Sequence, residues 1–134
     1  MTSDEKKTIL LADDDVDYLL QTRVRLEGAG YAVIAVEGQA QAEKVLANTR
    51  PDLAVVDLMM EHTDAGFALC HHIKKKDPGI PVILVTGVAS ETGLEFDSST
   101  REERSWVKAD ALLAKPVRFE QLQAQIEHLL KEKR

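Results

Sequence analysis

The chain's 134 residues suit one domain and leave little room for a second. A net charge of −6 excludes the basic footprint that a phosphate backbone needs, so no direct nucleic-acid partner is expected. The one cysteine, Cys70, excludes an internal disulfide, and no apolar stretch approaches a signal sequence or a membrane span; a cytoplasmic protein with no membrane partner is expected.

The first apolar run, Thr8–Ala12 (TILLA), reads as a strand and ends in Asp13-Asp14-Asp15. Residues 16–29 then place Leu19, Leu20, Val24 and Leu26 roughly at helical spacing, with Asp15 as the expected N-cap and Gly30 as the expected C′ residue. Ala32–Val36 (AVIAV) is a second strand. The helix expected over Gln39–Asn48 carries Ala42, Val45 and Leu46 before the stop at Pro51. A third run, residues 53–56 (LAVV), ends in Asp57. Phe67, Cys70 and Ile73 mark a helix over residues 67–76, which the turn Asp77-Pro78-Gly79 closes. The fourth run, residues 81–85 (PVILV), ends in Thr86-Gly87. The fifth, Ala111–Ala114 (ALLA), ends in Lys115-Pro116. Residues 119–133 carry the clearest amphipathic stripe: Phe119, Leu122, Ile126, Leu129 and Leu130.

None of the five runs alternates cleanly with polar residues, as expected of strands buried on both faces of a parallel sheet. Strand alternating with helix predicts βαβ units, hence a doubly wound α/β fold. Residues 87–110 resist the pattern. A crossover helix is required there, and residues 99–107, capped by Ser99 or Thr100, are its candidate. Residues 90–97 read as loop. The crossover is therefore expected to be long, irregular and mobile.

The polar residues after each run carry the function. In an open parallel sheet the C-terminal strand ends share one edge, and ligands bind there. Asp13, Asp14, Asp57, Thr86 and Lys115 should therefore meet. Crowded carboxylates either take up a proton or recruit a cation. Mg²⁺, a hard ion that prefers oxygen ligands, fits them. A hydroxyl and an ammonium beside it suit an incoming anion. The set describes phosphoryl transfer to an aspartate. Taken singly, the acidic run reads as a helix cap with surplus charge, Lys115 as surface charge and Thr86-Gly87 as a turn. Their joint placement weighs against those readings. His71, His72 and His128 lack metal-ligand spacing and are expected to face solvent. His62, on a loop near the site, is a weaker candidate. Trp106 reads as a packing residue, and Lys74 to Lys76 as charges that suit a helix C-terminus.

The motifs ILLADDD, VVDLMM, ILVTG and LLAKPV, in this order and at nearly the expected spacing, resemble the receiver domains of bacterial two-component response regulators of the chemotaxis-regulator type. The resemblance covers about residues 8–130 of a single domain spanning 1–134. It implies a flavodoxin-like (βα)5 fold with a five-stranded parallel sheet of order 2-1-3-4-5 and five helices. It also implies that Asp57 is the phospho-acceptor, and that Asp13, Asp14, Asp57 and the Met59 backbone carbonyl hold Mg²⁺. Thr86 and Lys115 would contact the phosphoryl group, and Gly87 would leave room for it. The Lys115–Pro116 peptide would be cis. The implied partners are a sensor histidine kinase or histidine phosphotransfer protein, and a downstream protein bound on the fourth helix, fifth strand and fifth helix. The implied chemistry is that of a switch that catalyses only its own phosphorylation and dephosphorylation.

Some positions depart from the family pattern. Leu112 stands where an aromatic residue usually rotates inward on activation. Glu61 replaces a proline, Ala65 separates Asp64 from Gly66, and the crossover is several residues longer than usual. Met59 and Val88 flank the expected route of a hydrolytic water and are apolar, which implies slow loss of phosphate. An adaptor built on an unphosphorylated receiver scaffold, and a haloacid-dehalogenase-like phosphatase with Asp13 as nucleophile, are the alternatives. An EF-hand reading of Asp13-x-Asp15-x-Asp17 fails, because Tyr18 and Val24 occupy the required Gly and bidentate Glu positions.

Overall fold

The computed structural model describes residues 6–58, 65–86, 109–115 and 117–132. Within them the elements run β1 (Thr8–Ala12), α1 (Val16–Gly28), β2 (Ala32–Val36), α2 (Gln39–Asn48), β3 (Leu53–Asp57), α3 (Ala65–Lys76), β4 (Val82–Thr86), β5 (Ala111–Ala114) and α4 (Phe119–Glu132). The fourth helix expected from sequence falls outside the described residues, so α4 is the fifth of that expectation. All neighbouring strands pair in parallel, in the order β2-β1-β3-β4-β5. This is the expected doubly wound fold.

Successive residues of a strand point to opposite faces. In β1, Ile9 and Leu11 point to one face and Leu10 and Ala12 to the other. In β4, Ile83 and Val85 oppose Val82 and Leu84 in the same way. Both faces are apolar, so polar alternation is absent. Leu19 and Leu26 of α1 and Leu122 and Ile126 of α4 cover the first face. Ala42 and Leu46 of α2 and Leu69, Cys70 and Ile73 of α3 cover the second. The three inner strands are buried almost throughout, whereas the edge strands β2 and β5 are only half-buried.

The face of α1 differs from expectation. Leu20 and Val24 are 60% and 59% exposed, and with Val16 they form an outward stripe. The buried residues are Leu19, Thr22 and Leu26. Spacing of three and four residues selects that face, and sequence hydrophobicity alone overlooked the threonine within it. Both ends of α1 match expectation. Asp15 caps the N-terminus, accepting from the Tyr18 amide at 3.2 Å. At the C-terminus Gly30 has φ of 104°, and Gly30 N and Tyr31 N donate to Glu27 O and Leu26 O, the paired bonds of a Schellman motif. Four other boundaries shift by a residue or two: β3 extends to Asp57, both ends of β4 move on by one to span 82–86, and α3 begins at Ala65.

Three contacts fix the end of the crossover that enters β5. Lys74 Nζ meets Asp110 Oδ2 at 2.7 Å and donates to Ile80 O at 2.8 Å, while Asp110 accepts from Val82 N. These bonds fasten the start of β5 to α3 and β4. At the opposite sheet edge, Gly66 N donates to Leu58 O at 2.8 Å. A methyl group on Gly66 would come within 2.7 Å of that oxygen, and closer still to the Asp57 and Leu58 backbone. Gly66→Ala therefore has to push α3 off the strand end that carries Asp57. The expected cost is about 1–3 kcal/mol of stability, measured by urea denaturation. A loss no larger than that of Ala68→Gly on the exposed side of α3 would contradict the close approach.

Candidate functional site

The register of the sheet assembles the site. Ala12 pairs with Val56, so the next residues, Asp13 and Asp57, emerge side by side from β1 and β3. Asp57 pairs with Val85 and Thr86 with Ala114, which places Thr86 and Lys115 one step further along the same edge. The ladder runs to the rim through Leu58 N to Val85 O and Lys115 N to Thr86 O, both 2.8 Å.

Asp13, Asp14 and Asp57 each present a carboxylate oxygen, all within 4.8 Å of one another. Asp13 and Asp57 are buried and Asp14 is exposed. Asp13 Oδ1 accepts from the Asp15 amide at 2.9 Å, so one oxygen is anchored to the loop. Its Oδ2 lies 3.3 Å from Lys115 Nζ, and Asp57 Oδ1 lies 3.5 Å from the same nitrogen. One ammonium thus bridges two buried carboxylates. Thr86, also buried, stands at the adjacent strand end.

The charges are unbalanced. Burial, then the Asp13 charge, push the Asp57 carboxyl up to about 7, and Lys115 only partly offsets this. Burial raises Asp13 as well, against the Asp15 amide and Lys115. Burial alone would lower Lys115, but the Asp13 and Asp57 charges outweigh it and hold the ammonium above the ordinary lysine value. A cluster of hard oxygen donors, part buried and part open to water, is the donor set that suits Mg²⁺, which keeps several of its waters.

Of the residues singled out in sequence, Asp13, Asp14, Asp57 and Lys115 converge, with Thr86 beside them. Met59, Gly87 and Pro116 lie outside the described residues, as do Glu61, His62, Asp64, Val88, Trp106 and the crossover of residues 87–108. Leu112 is half-buried, pairs with Leu84 and packs against the α2/α3 face. His71, His72 and His128 face solvent. Sequence reasoning missed Tyr18, which figured only as an obstacle to an EF-hand loop. Its ring lies beneath Lys115 Nζ, 5.3 Å from centroid to nitrogen. Its position one helical turn after the acidic run was the signal available.

The response regulator receiver domain profile matches residues 9–127. The phosphate regulon transcriptional regulatory protein PhoB of Pseudomonas aeruginosa is 31% identical over 131 residues, covering 93% of this chain and 52% of that protein. Transcriptional regulatory protein GlrR of Escherichia coli is 39% identical over 82 residues, 61% of this chain and 18% of its own length. The chain thus spans from under a fifth to about half of these relatives. Among solved structures, a CheY-like response regulator receiver domain protein from Methanospirillum hungatei superimposes with a TM-score of 0.83 at 29% identity, covering 96% of this chain and 97% of that one. Response regulator TrrA of Thermotoga maritima, in complex with Mg²⁺-BeF, gives 0.74 at 25% identity, covering 92% and 98%.

The raised Asp57 carboxyl has a consequence for the metal-free protein. Folding raises its pKa from 3.8 to about 7, so the folded state binds the proton more tightly than the unfolded chain. The stability this contributes is full below the unfolded value and is lost as pH rises through the folded one. The denaturation midpoint in EDTA should therefore fall between about pH 4 and about pH 7, and Asp57→Asn should flatten that fall. Parallel profiles for the two proteins would show that Asp57 is not the group responsible.

Proposed function

This chain belongs to the response regulator receiver domain family, and we propose that it forms a single receiver unit in which Asp57 accepts a phosphoryl group from a phosphohistidine on a sensor kinase or phosphotransfer protein. Receiver domains are the signalling switches of two-component systems, and they bind Mg²⁺ at an acidic pocket. The observation that carries the reading is the ammonium of Lys115 set 3.3 Å and 3.5 Å from the two buried carboxylates of a three-carboxylate cluster.

In this reading Asp13, Asp14 and Asp57 would hold Mg²⁺, and the family resemblance adds the Met59 carbonyl as an expected further ligand. When bound, the ion neutralises the carboxylates and the negative charge that builds up on the transferred group. Asp57, in its ionised form, attacks phosphorus through one oxygen as the bond to the donor imidazole nitrogen breaks, and the released imidazole takes up a proton. Lys115 turns from its carboxylate contacts toward the phosphoryl oxygens, and the Thr86 hydroxyl donates to another. The bound group then draws Thr86 and Lys115 toward it and biases the surface beside β5 and α4 for a protein target. Net charge of −6 favours protein over nucleic acid as the direct partner of this unit.

Mass spectrometry after incubation with acetyl phosphate and Mg²⁺ tests the proposal. One added phosphoryl group is expected, absent in Asp57→Ala and in EDTA. Asp13→Asn should weaken the Mg²⁺ requirement constant by about tenfold or more. A wild-type chain that takes up no phosphoryl group would instead be an adaptor on a receiver scaffold. Labelling that survives Asp57→Ala would move the acceptor elsewhere.

A further inference from the structure

We propose that Tyr18 is the positioning residue for Lys115, its ring face holding the ammonium over the acidic cluster. The inference rests on the proposed phosphoryl transfer and adds to it a residue that touches neither metal nor phosphoryl group. The acidic loop itself sets the tyrosine: Asp15 accepts from the Tyr18 amide at 3.2 Å, and the neighbouring Asp13 supplies the buried carboxylate. One helical turn on from Tyr18 stands Thr22, the buried polar residue of α1. Strand alternation directs Lys115 to the face of Leu113, which α1 and α4 cover, and there its nitrogen lies 5.3 Å from the ring centroid.

The arrangement meets a definite need. Lys115 has a flexible four-carbon stem, and its side chain is 31% exposed, so its ammonium has an open path to water. The carboxylates alone attract it, but a bound divalent cation competes for the same oxygens. The ring supplies an attraction that the metal does not cancel, and it keeps the ammonium near the incoming anion at little reorganisation cost. Tyr18 also walls an open cleft of about 350 Å³ between α1 and the start of α4. Shortening it enlarges the cleft rather than excavating the core.

The test measures phosphorylation rate from acetyl phosphate at saturating Mg²⁺ by intact mass. Tyr18→Leu should slow the reaction about five- to tenfold, in line with a partly desolvated cation–π contact. Tyr18→Phe, which keeps the ring, should restore most of the loss. Arg25→Gln, which removes a second cation–ring contact on the same face (Arg25 over Phe119 at 5.7 Å), should leave the rate unchanged. In a Lys115→Ala background Tyr18→Leu should add nothing. Equal rates for wild type and Tyr18→Leu, or an equal slowing with Lys115 absent, would overturn the assignment. A folding defect in Tyr18→Leu leaves the wild type as the test: the Lys115 ε-methylene protons should show an upfield ring-current shift in NMR, and ordinary lysine shifts would refute the contact. If the wild type takes up no phosphoryl group at all, the proposed function fails first; normal wild-type labelling with no Tyr18 effect sinks only this inference.

Discussion

Mutual repulsion among three carboxylates, with one ammonium to answer it among the described residues, is the interaction on which this molecule turns. Two of the three are buried. Taking ionised carboxylates out of water is costly unless partners compensate, and one lysine bridging two of them compensates incompletely. The shortfall appears in the raised affinity of Asp57 for a proton. Any ligand that adds positive charge there relieves the same shortfall, as the Mg²⁺ of the proposed function would. A site balanced by a second lysine would be more comfortable in isolation and would have less to gain from a metal or a phosphoryl donor.

The parallel sheet makes such crowding possible. Each strand must end on the same edge, and the register decides which residue emerges at the rim. Asp13 and Asp57 are neighbours because Ala12 pairs with Val56, and a slip of one residue would turn the Asp57 side chain to the other face. Register is in turn held by the apolar residues on both faces, by the close seating of Gly66 on the β3 backbone, and at the opposite edge by the Lys74 and Asp110 contacts. The site is therefore maintained by contacts distant from it as well as by its own residues.

Much of this was legible in the sequence, and the reasons are specific. Runs of Val, Ile, Leu and Ala without polar alternation mark strands covered on both sides, and the residue after each run marks the rim. The strand and helix order, the cap at Asp15 and the turn at Gly30 follow from those local rules. What hydrophobicity obscured was which side of α1 faces inward: Leu20 and Val24 are outside, and Thr22 is inside. A threonine scores as neutral, so its placement becomes visible only once the helix is seated on the sheet. Tyr18 escaped for a related reason. Its contact with Lys115 joins the first helix to the last strand, and no local pattern encodes a meeting of residues so far apart in the chain.

Leu112 bears on how a signal would leave the site. Alternation along β5 sends Leu113 to the α1/α4 face and Leu112 to the α2/α3 face, where it packs with Leu84. The same alternation along β4 places Thr86 on the face of Leu84. Thr86 and Leu112 therefore share a side of the sheet at adjoining strands. A leucine has no ring edge or hydroxyl to exchange between a buried and an exposed partner, so a movement of Thr86 would be transmitted here by repacking of aliphatic side chains. Close-packed interiors respond to small displacements by discrete rearrangement. Under the proposed function, the output of this receiver then depends on backbone shifts of β4 and β5 carried by Leu84 and Leu112, a route that needs no aromatic rotor.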